Sequence, residues 1–331
     1  MLETIIRNRM RRVNGMSNNI PFPFPKIEKI LPGIEREQIH YVTGGTGTGK
    51  TKLTKKLYVF TPIEEALKDD NIDLKIIYFA LEESRERFVL SMYSYFLYKY
   101  YGLDKTVNQL LSIGKEELTI SEMDLITEIT PFIEDILKYI DIVTEVRNPT
   151  GIYYRVKSFL DKTGKTSHKM REIDGKEVKV RDKYTPDHEN RYTIIVVDHM
   201  SLLSTEKDCP TLHSSMSRMS STYFLDLRDF YKCTCVGVVQ QMAQQESVDH
   251  FKYNKIEPSL QGIADNKTIT RDANKVFGCF LPARYDLGTY RKVKVTNNLF
   301  SFSIIKNREG LSNIHLLLDF TGSVGDYSEF K

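Results

Sequence analysis

One stretch of sequence decides the fold: Gly44-Gly45-Thr46-Gly47-Thr48-Gly49-Lys50-Thr51. It matches the phosphate-loop pattern G-x-x-x-x-G-K-[ST] at every fixed position. The β-type residues 39–43 precede it, and residues 51–60 are predicted to form the helix that it opens. Backbone N–H groups and a helix N-terminus therefore converge on phosphate oxygens. We predict that residues 44–51 bind ATP, that Lys50 reaches the β- and γ-phosphates, and that the Thr51 hydroxyl ligates Mg²⁺.

The rest of the chain alternates apolar β-type runs with segments of helical length. This alternation is typical of an α/β fold in which a mostly parallel, twisted sheet is flanked by helices. Several runs are continuous in Ile, Val and Tyr, as expected for strands that are buried on both faces. The predicted strands are residues 39–43, 74–80, 139–144, 192–197, 235–240, 275–281, 300–306 and 314–320.

Carboxylates follow two of these strands directly. Asp198 comes after residues 192–197, which suits a Walker B aspartate that holds Mg²⁺ through water, although a helix cap is the alternative. Glu82 and Glu83 follow the strand at residues 74–80. Either can polarise the attacking water or favour the start of the next helix. We assign Glu82 to catalysis and Glu83 to the helix.

Two more polar pairs lie at strand ends. Gln240 and Gln241 close the strand that begins at residue 235, and ligands of open α/β sheets bind at that edge. A glutamine there is placed to sense the γ-phosphate and signal to the following loop. Lys306 and Arg308 leave the same strand face if the strand persists. Such a pair suits a phosphoryl-transfer transition state on a neighbouring subunit, and a solvated turn is the alternative.

The N-terminal segment is predicted to be a short amphipathic helix, residues 1–17, ahead of a catalytic domain at 18–331. Its apolar positions at helical spacing are Leu2, Ile5, Ile6 and Met10. Residues 21–25 alternate proline with phenylalanine, which breaks the helix and predicts an extended linker. A helix of this length needs a surface to pack on, either its own domain or a neighbouring one.

Residues 162–191 interrupt the alternation and are predicted to form a projecting β-hairpin, because Asp174-Gly175 is a two-residue turn signal. They hold nine Lys/Arg and six Asp/Glu, so the rest of the chain has 38 of each and the excess charge is local. Residues 163–166 resemble half a phosphate loop. They lack the first glycine and a preceding strand, so we dismiss them.

Composition excludes several classes of protein. The formal net charge is +3 over 331 residues, which argues against nucleic-acid binding by bulk charge. No run of 18 apolar residues and no secretory signal is present, so we expect a soluble cytoplasmic protein. The four cysteines indicate a reducing compartment, and Cys233 and Cys235 are expected to be small core residues and not a zinc site.

With these residues in place, the chain resembles the motor domain of DnaB-like replicative helicases. This is the RecA-type hexameric group that also includes phage primase-helicases and mitochondrial Twinkle. The resemblance covers about residues 18–320 and implies a RecA-like P-loop NTPase core. Besides the phosphate loop, it rests on Phe79-Ala80-Leu81-Glu82, Val197-Asp198-His199-Met200-Ser201, Val239-Gln240-Gln241-Met242 and Lys306-Asn307-Arg308-Glu309-Gly310.

The resemblance implies catalytic roles for Glu82, Lys50 and Gln241, with Lys306 and Arg308 acting across the interfaces of a homo-hexamer. It also implies single-stranded DNA in a central channel, held by loops at about residues 204–217 and 244–270. Its backbone-gripping loop corresponds to Ala264, Asp265, Asn266, Lys267 and Thr268. Ala264 replaces the usual arginine, and Lys267 is the candidate substitute. The hairpin at residues 162–191 has no counterpart in the family.

We therefore predict an ATP- and Mg²⁺-dependent DNA helicase of bacterial or phage origin. The N-terminal helix corresponds to the family's linker helix, which favours docking on a neighbouring subunit. Because few residues precede the core, a primase or loader is expected to contact the motor surface or the hairpin. The alternatives are a RecA-like recombinase and an ATP-gated assembly or loading protein that does not unwind DNA.

Overall fold

The computed structural model describes residues 2–242, 256–263 and 267–331. The helices are α1 (Leu2–Val13), α2 (Lys50–Lys55), α3 (Thr61–Lys68), α4 (Arg85–Tyr101), α5 (Val107–Leu110), α6 (Ile120–Leu137), α7 (Pro149–Lys162), α8 (Leu212–Arg218), α9 (Leu225–Asp229) and α10 (Lys267–Asp272). The strands are β1 (Gln38–Gly44), β2 (Asp73–Ala80), β3 (Ile140–Val143), β4 (Gly164–Ile173), β5 (Lys176–Pro186), β6 (Arg191–Asp198), β7 (Thr234–Gln240), β8 (Lys275–Phe280), β9 (Thr289–Tyr290), β10 (Val293–Lys294), β11 (Leu299–Asn307), β12 (Ile314–Thr321) and β13 (Asp326–Glu329).

Within the described residues, the main sheet has nine strands in the order β13-β12-β11-β8-β1-β7-β6-β2-β3. The strands from β8 to β3 in this order are mutually parallel, whereas β11, β12 and β13 form an antiparallel edge. All the predicted strands are present, with ends that differ by one or two residues. The predicted α/β class, a mostly parallel sheet flanked by helices, is therefore confirmed.

The register of the sheet gathers the polar strand ends at one edge. Gly44 at the end of β1 pairs with Gln240 of β7 on one side and with Cys279 of β8 on the other. Ala80 at the end of β2 pairs with Asp198 of β6. Because these strands are parallel, their carboxyl ends point the same way, and the residues that follow them share one rim.

The strands are buried on both faces, as their continuous apolar runs predict. In β2, Ile76 and Tyr78 belong to one apolar cluster, whereas Ile77 and Phe79 belong to the other. This alternation means that two layers of helices cover the sheet, each with its own core. The rigid centre of the domain therefore supports the rim at which the candidate site residues lie.

The proline-rich segment at residues 21–25 is extended but does not act as a free linker. Phe22 and Phe24 are buried, and their rings pack against Tyr58 and Phe302. The aromatic side chains therefore join this segment to the core, where an alternating Pro-Phe pattern predicted only a spacer. Helix α1 is formed as predicted and precedes this anchored segment.

The predicted hairpin is present as β4 and β5, and its turn falls at Asp174 and Gly175. Residues 163–166, dismissed as a phosphate loop, lie at the base of β4. The helix after the true phosphate loop runs further than predicted. It continues from α2 through a π-helical segment, Lys56–Phe60, into α3.

The cysteines are all buried and unpaired, as expected for core residues. They are Cys209, Cys233, Cys235 and Cys279. In the described part of the chain, the helices lack the combination of length and apolar character that crossing a bilayer requires.

Candidate nucleotide-binding site

The phosphate loop has the backbone that its glycines predict. Gly47 and Gly49 have φ of 70° and 82°, in the left-handed region that disfavours side chains, and Gly49 caps the N-terminus of α2. A Cβ atom on Gly44 would lie 2.6 Å from the carbonyl oxygen of Cys279. The Tyr327 hydroxyl donates to the Gly49 carbonyl at 2.9 Å and ties the loop to β13. The loop therefore presents backbone N–H groups around the start of a helix.

The cleft above this loop has a volume of about 440 Å³. The Lys50 amino group donates to the Gly45 carbonyl within the loop at 2.7 Å, and burial lowers the pKa of Lys50. Side chains from several strand ends also line the cleft, including Thr51, Glu82, His199, Gln240 and Phe320. The structure thus brings the phosphate loop and Glu82, which are 31 positions apart at Thr51, into one site.

Asp198 lies beside Thr51, as expected for a pair that shares one metal ion. The Thr51 hydroxyl donates to Asp198 Oδ1 at 3.2 Å, and the Tyr78 hydroxyl donates to Oδ2 at 2.5 Å. Asp198 is buried, burial raises the pKa of its carboxyl, and no ion pair to it is found among the described residues. A buried carboxylate without a paired cation, next to a hydroxyl, fits an Mg²⁺ site.

The two neighbouring glutamates have different surroundings. Glu82 faces the cleft with 63% of its side chain exposed, and its Oε2 lies 3.7 Å from His199 Nε2. The other ring nitrogen of His199 lies 3.0 Å from the Ser201 hydroxyl. Glu83 instead forms a 2.6 Å ion pair with the buried Lys55. Glu82 is thus accessible to water at the cleft, whereas Glu83 neutralises a buried cation.

The assignment of Glu83 to the start of the next helix is corrected by its contacts. Ser84 is the N-cap of α4, and its side chain accepts from the Arg87 backbone N–H at 3.2 Å. The sequence contains both a serine and a glutamate at the predicted helix start. Only the contact with Lys55 distinguishes their roles.

The two glutamines point in different directions, which corrects the choice of Gln241 as the residue facing the nucleotide. Gln240 donates to the Thr46 hydroxyl in the phosphate loop. Gln241 is buried and donates to the Thr43 hydroxyl at 2.9 Å and to the Ser259 carbonyl at 3.1 Å. Gln240 is therefore placed to contact the phosphate loop, and Gln241 connects β1 to the loop that contains Ser259.

Lys306 and Arg308 lie far from the phosphate loop of their own chain. Lys306 pairs with Val276 of β8, three positions before Cys279, and the Arg308 backbone N–H donates to the Asn274 carbonyl at 3.0 Å. With a rise of about 3.3 Å per residue, the two residues sit about 10 to 17 Å back from the phosphate-loop rim. Both side chains nevertheless reach the carbonyl of Arg271, so they share one face as predicted.

Of the residues expected to contact DNA, Asp265 and Asn266 lie outside the described residues, as does Ala264. Lys267 begins helix α10, which leads into β8. Their roles remain predictions.

Several cleft residues were not assigned from the sequence. Arg284 follows β8 at the same sheet edge, and its Nη1 is 3.0 Å from where a Cβ atom on Gly47 would lie. His199 and Phe320 line the cleft, and Tyr78 holds Asp198. For Arg284, the available signal was its position after a strand that ends beside the phosphate loop. Tyr78 lies inside a strand and carried no such signal.

The sheet order, with a phosphate loop after its central strand, defines a RecA-like P-loop ATPase fold. No protein-family model matches the chain, and no curated protein matches its sequence. Among solved structures, the ATPase domain of a helicase is similar with a TM-score of 0.69 and 13% identity, over 100% of this chain and 99% of that chain.

A DnaB-like replicative helicase, described with its interactions with primase, is similar with a TM-score of 0.67 and 13% identity. That alignment covers 97% of this chain and 66% of that chain. A KaiC-like protein from the hyperthermophilic archaeon Pyrococcus horikoshii has a TM-score of 0.51 and 12% identity, over 95% and 99% of the two chains. At these identities the likeness concerns the fold. The chain therefore has the fold of a DnaB-like helicase ATPase domain.

Proposed function

We propose that this chain is the ATP-driven motor of a ring-shaped replicative DNA helicase, which translocates on single-stranded DNA and unwinds duplex. The observation that carries the proposal is the separation of two half-sites on one sheet. The phosphate loop lies at one rim, and Lys306 and Arg308 lie about 10 to 17 Å behind it. Two copies placed head to tail would bring the cations of one to the phosphate loop of the other.

In this proposal the N–H groups of residues 44–51 and the Lys50 amino group bind the phosphates of ATP. Thr51 and Asp198 hold Mg²⁺, which supplies charge neutralisation on the phosphate oxygens when bound. Glu82 orients and polarises the attacking water from the exposed side of the cleft. Gln240 contacts the loop that binds the γ-phosphate, and Gln241 links the adjacent strand to the segment at residues 256–263.

Lys306 and Arg308 complete the site of the neighbouring copy by stabilising the charge of the transferred phosphoryl group. Residues 265–267 are proposed to contact the DNA backbone. A ring multiplies weak contacts from each copy, so a net charge of +3 per chain is compatible with firm binding. The solved DnaB-like relative was described with primase, and we extend a primase or loader partner to this chain as a proposal. The free buried cysteines suit a reducing compartment such as the bacterial cytoplasm.

The test is unwinding of forked DNA substrates that carry a single-stranded tail of one polarity or the other. We expect ATP-dependent strand separation for one tail polarity, together with ATPase activity that DNA stimulates. An ATPase that DNA does not stimulate would instead indicate an assembly or loading protein. Helical filaments on DNA in electron micrographs, without strand separation, would indicate a recombinase. The Lys50→Ala variant is the control, because it removes the cation that binds the phosphates.

A further inference from the structure

The β4–β5 hairpin is attached to the domain only near its base, as far as the described residues show. The Arg181 guanidinium forms a two-pronged ion pair with Asp226, at 2.6 and 3.2 Å, and stacks over the Phe230 ring. The buried Tyr184 donates to the Leu160 carbonyl at 3.0 Å. Beyond Arg181, residues 169–180 are exposed except for the half-buried Val180. The outer half of the ribbon is therefore held in place but uncovered.

The hairpin accounts for the net charge of the whole chain. Residues 164–186 contain seven Lys/Arg and four Asp/Glu, a surplus of three, and the formal net charge of the chain is +3. Charges elsewhere balance. A surplus concentrated on one projecting element is typical of a surface that meets a negatively charged partner.

The strand register divides the outer half of the ribbon into two faces. Residues opposite each other on antiparallel strands share a face, and successive residues alternate. One face carries the pairs Lys169 with Val180, Arg171 with Val178, and Ile173 with Lys176. Each of these pairs joins one cation to one aliphatic side chain, and none contains an acidic residue. We call these six residues the outer face.

The outer face points away from the domain. Arg181, which is anchored to Asp226, lies opposite His168 in the pair next to Lys169 and Val180. Neighbouring pairs alternate between faces, so the face of Arg181 turns toward α9 and the outer face turns outward. Ile173 and Val178 are 43% and 41% exposed there, although both are aliphatic.

The chemistry of this face fits a protein better than a nucleic acid. Single-stranded nucleic acids bind by stacking their bases on aromatic rings, and residues 169–180 contain no aromatic residue. Glu172 and Glu177 face each other near the tip and would repel phosphates. Aliphatic groups between cations instead match a strand that alternates aliphatic and acidic side chains. In the described residues β4 also has one edge without a partner strand, which is a template for strand addition.

We propose that the outer face is a docking surface for an extended segment of a partner protein, which pairs antiparallel with the free edge of β4. Its side chains on that face are aliphatic beside Ile173 and acidic beside Arg171 and Lys169. The interaction goes beyond the proposed helicase activity and does not depend on ATP hydrolysis. A chain that fails to unwind DNA can therefore still pass this test, and the reverse also holds.

The probe is a synthetic peptide, acetyl-Thr-Val-Thr-Glu-Thr-Glu-Thr-amide, titrated into the full chain and followed by the methyl NMR signals of Ile173, Val178 and Val180. We expect these signals to shift with saturation, while the methyl signals of the core residue Ile39 stay in place. Arg171→Glu should raise the Kd at least tenfold, because it replaces the central attraction with repulsion. Val178→Ser tests the aliphatic contribution and should also weaken binding.

Lys179→Glu is the matched control, because it makes the same charge change on the opposite face, across from Met170. It should leave the Kd within about twofold. Equal weakening by Lys179→Glu and Arg171→Glu would overturn the proposal in favour of general charge attraction. Absence of saturable shifts would overturn it too, and would assign the cations to protection of an exposed ribbon against aggregation. A twelve-residue oligothymidylate that shifts the same signals, and loses binding on Arg171→Glu, would identify a nucleic-acid surface instead.

Discussion

The Lys306 amino group lies 2.5 Å from the carbonyl oxygen of Thr270, at the C-terminal end of α10. Arg308 donates to the next carbonyl, that of Arg271. Cations are favourable at this end of a helix, where carbonyl groups lack partners. The two residues proposed to act on a neighbouring nucleotide therefore hold the helix that follows the proposed DNA-binding residues. Engagement of a phosphate by these side chains would release α10, which gives a direct physical link between the two sites.

Arg308→Ala should abolish most turnover and leave nucleotide binding intact. A finger arginine contributes about 10³ to 10⁵ in kcat, and Arg308 is too far from its own phosphate loop to contribute to binding there. The measurement is steady-state ATPase activity together with the Kd of a fluorescent ATP analogue. Arg291→Ala is a suitable control, because Arg291 is a partly exposed arginine paired with Glu257, away from the finger segment.

Mixing separates action across an interface from action within one chain. Rings assembled from Arg308→Ala and Lys50→Ala copies contain some interfaces with an intact phosphate loop and an intact finger. These mixtures should hydrolyse ATP faster than either variant alone. Mixed rings that assemble but show no such gain would contradict the cross-interface role.

Glu82→Gln and Glu83→Gln should affect different properties. Glu82→Gln removes the group that polarises water, so kcat should fall by about 10² to 10⁴ with little change in nucleotide affinity. Glu83→Gln leaves the Lys55 amino group buried without its 2.6 Å partner and should lower the free energy of unfolding by about 3 kcal/mol. ATPase kinetics and urea unfolding of both variants check this. A stability loss confined to Glu82→Gln would reverse the two roles.

Asp198→Asn should stabilise the nucleotide-free protein and weaken its response to Mg²⁺. Burial raises the pKa of Asp198, which means that the folded protein holds the carboxylate under strain at neutral pH. Asparagine removes the charge and keeps an oxygen to accept from Tyr78. We expect a higher Tm without ligand and a loss of about 10- to 100-fold in Mg²⁺ affinity, measured with ATP present. An unchanged Mg²⁺ dependence would exclude Asp198 from the metal site.

His40 should make the protein less stable in mild acid. Burial, and secondarily the charge of Lys275, holds the pKa of His40 well below its ordinary value. The unfolded chain takes up a proton near pH 6.5 whereas the folded chain does not, so the free energy of unfolding should fall as the pH drops below about 6.5. The slope for one such group approaches about 1.4 kcal/mol per pH unit. Urea unfolding at pH 7.5 and 5.5 should show that His40→Gln reduces this loss, while His188→Gln, at an exposed position, does not.

Helix α1 should hold rings together through its uncovered apolar face. Leu2 and Ile5 are 69% and 61% exposed in the single chain. A double change, Ile5→Asp with Ile6→Asp, should convert rings to monomers or open forms in light scattering, as should removal of residues 1–17. Arg7→Asp introduces a carboxylate on another face of the helix and should leave rings intact. Unchanged rings after the deletion would rule out this role.

Sequence patterns predicted those features that depend on short segments. The phosphate loop, the strand that ends at Asp198 and the hairpin turn at Asp174 each follow from a few adjacent residues. The opposite orientations of Gln240 and Gln241 did not, because a shift of one residue changes which side of the strand a side chain occupies. The pairing of Glu83 with Lys55 and of Tyr78 with Asp198 depends on tertiary packing between elements. The burial of Phe24 depends on the same packing, so the proline pattern alone suggested only a spacer.

The distance between the phosphate-loop rim and the Lys306–Arg308 end of the sheet gives each copy a donor end and an acceptor end. Under the proposed function, a single chain then contains parts of two active sites and no complete one. Catalytic competence belongs to the junction between copies, and dilution below the association range switches it off without any inhibitor. A chain of this design has its activity set by how many neighbours it has, which ties ATP consumption to assembly.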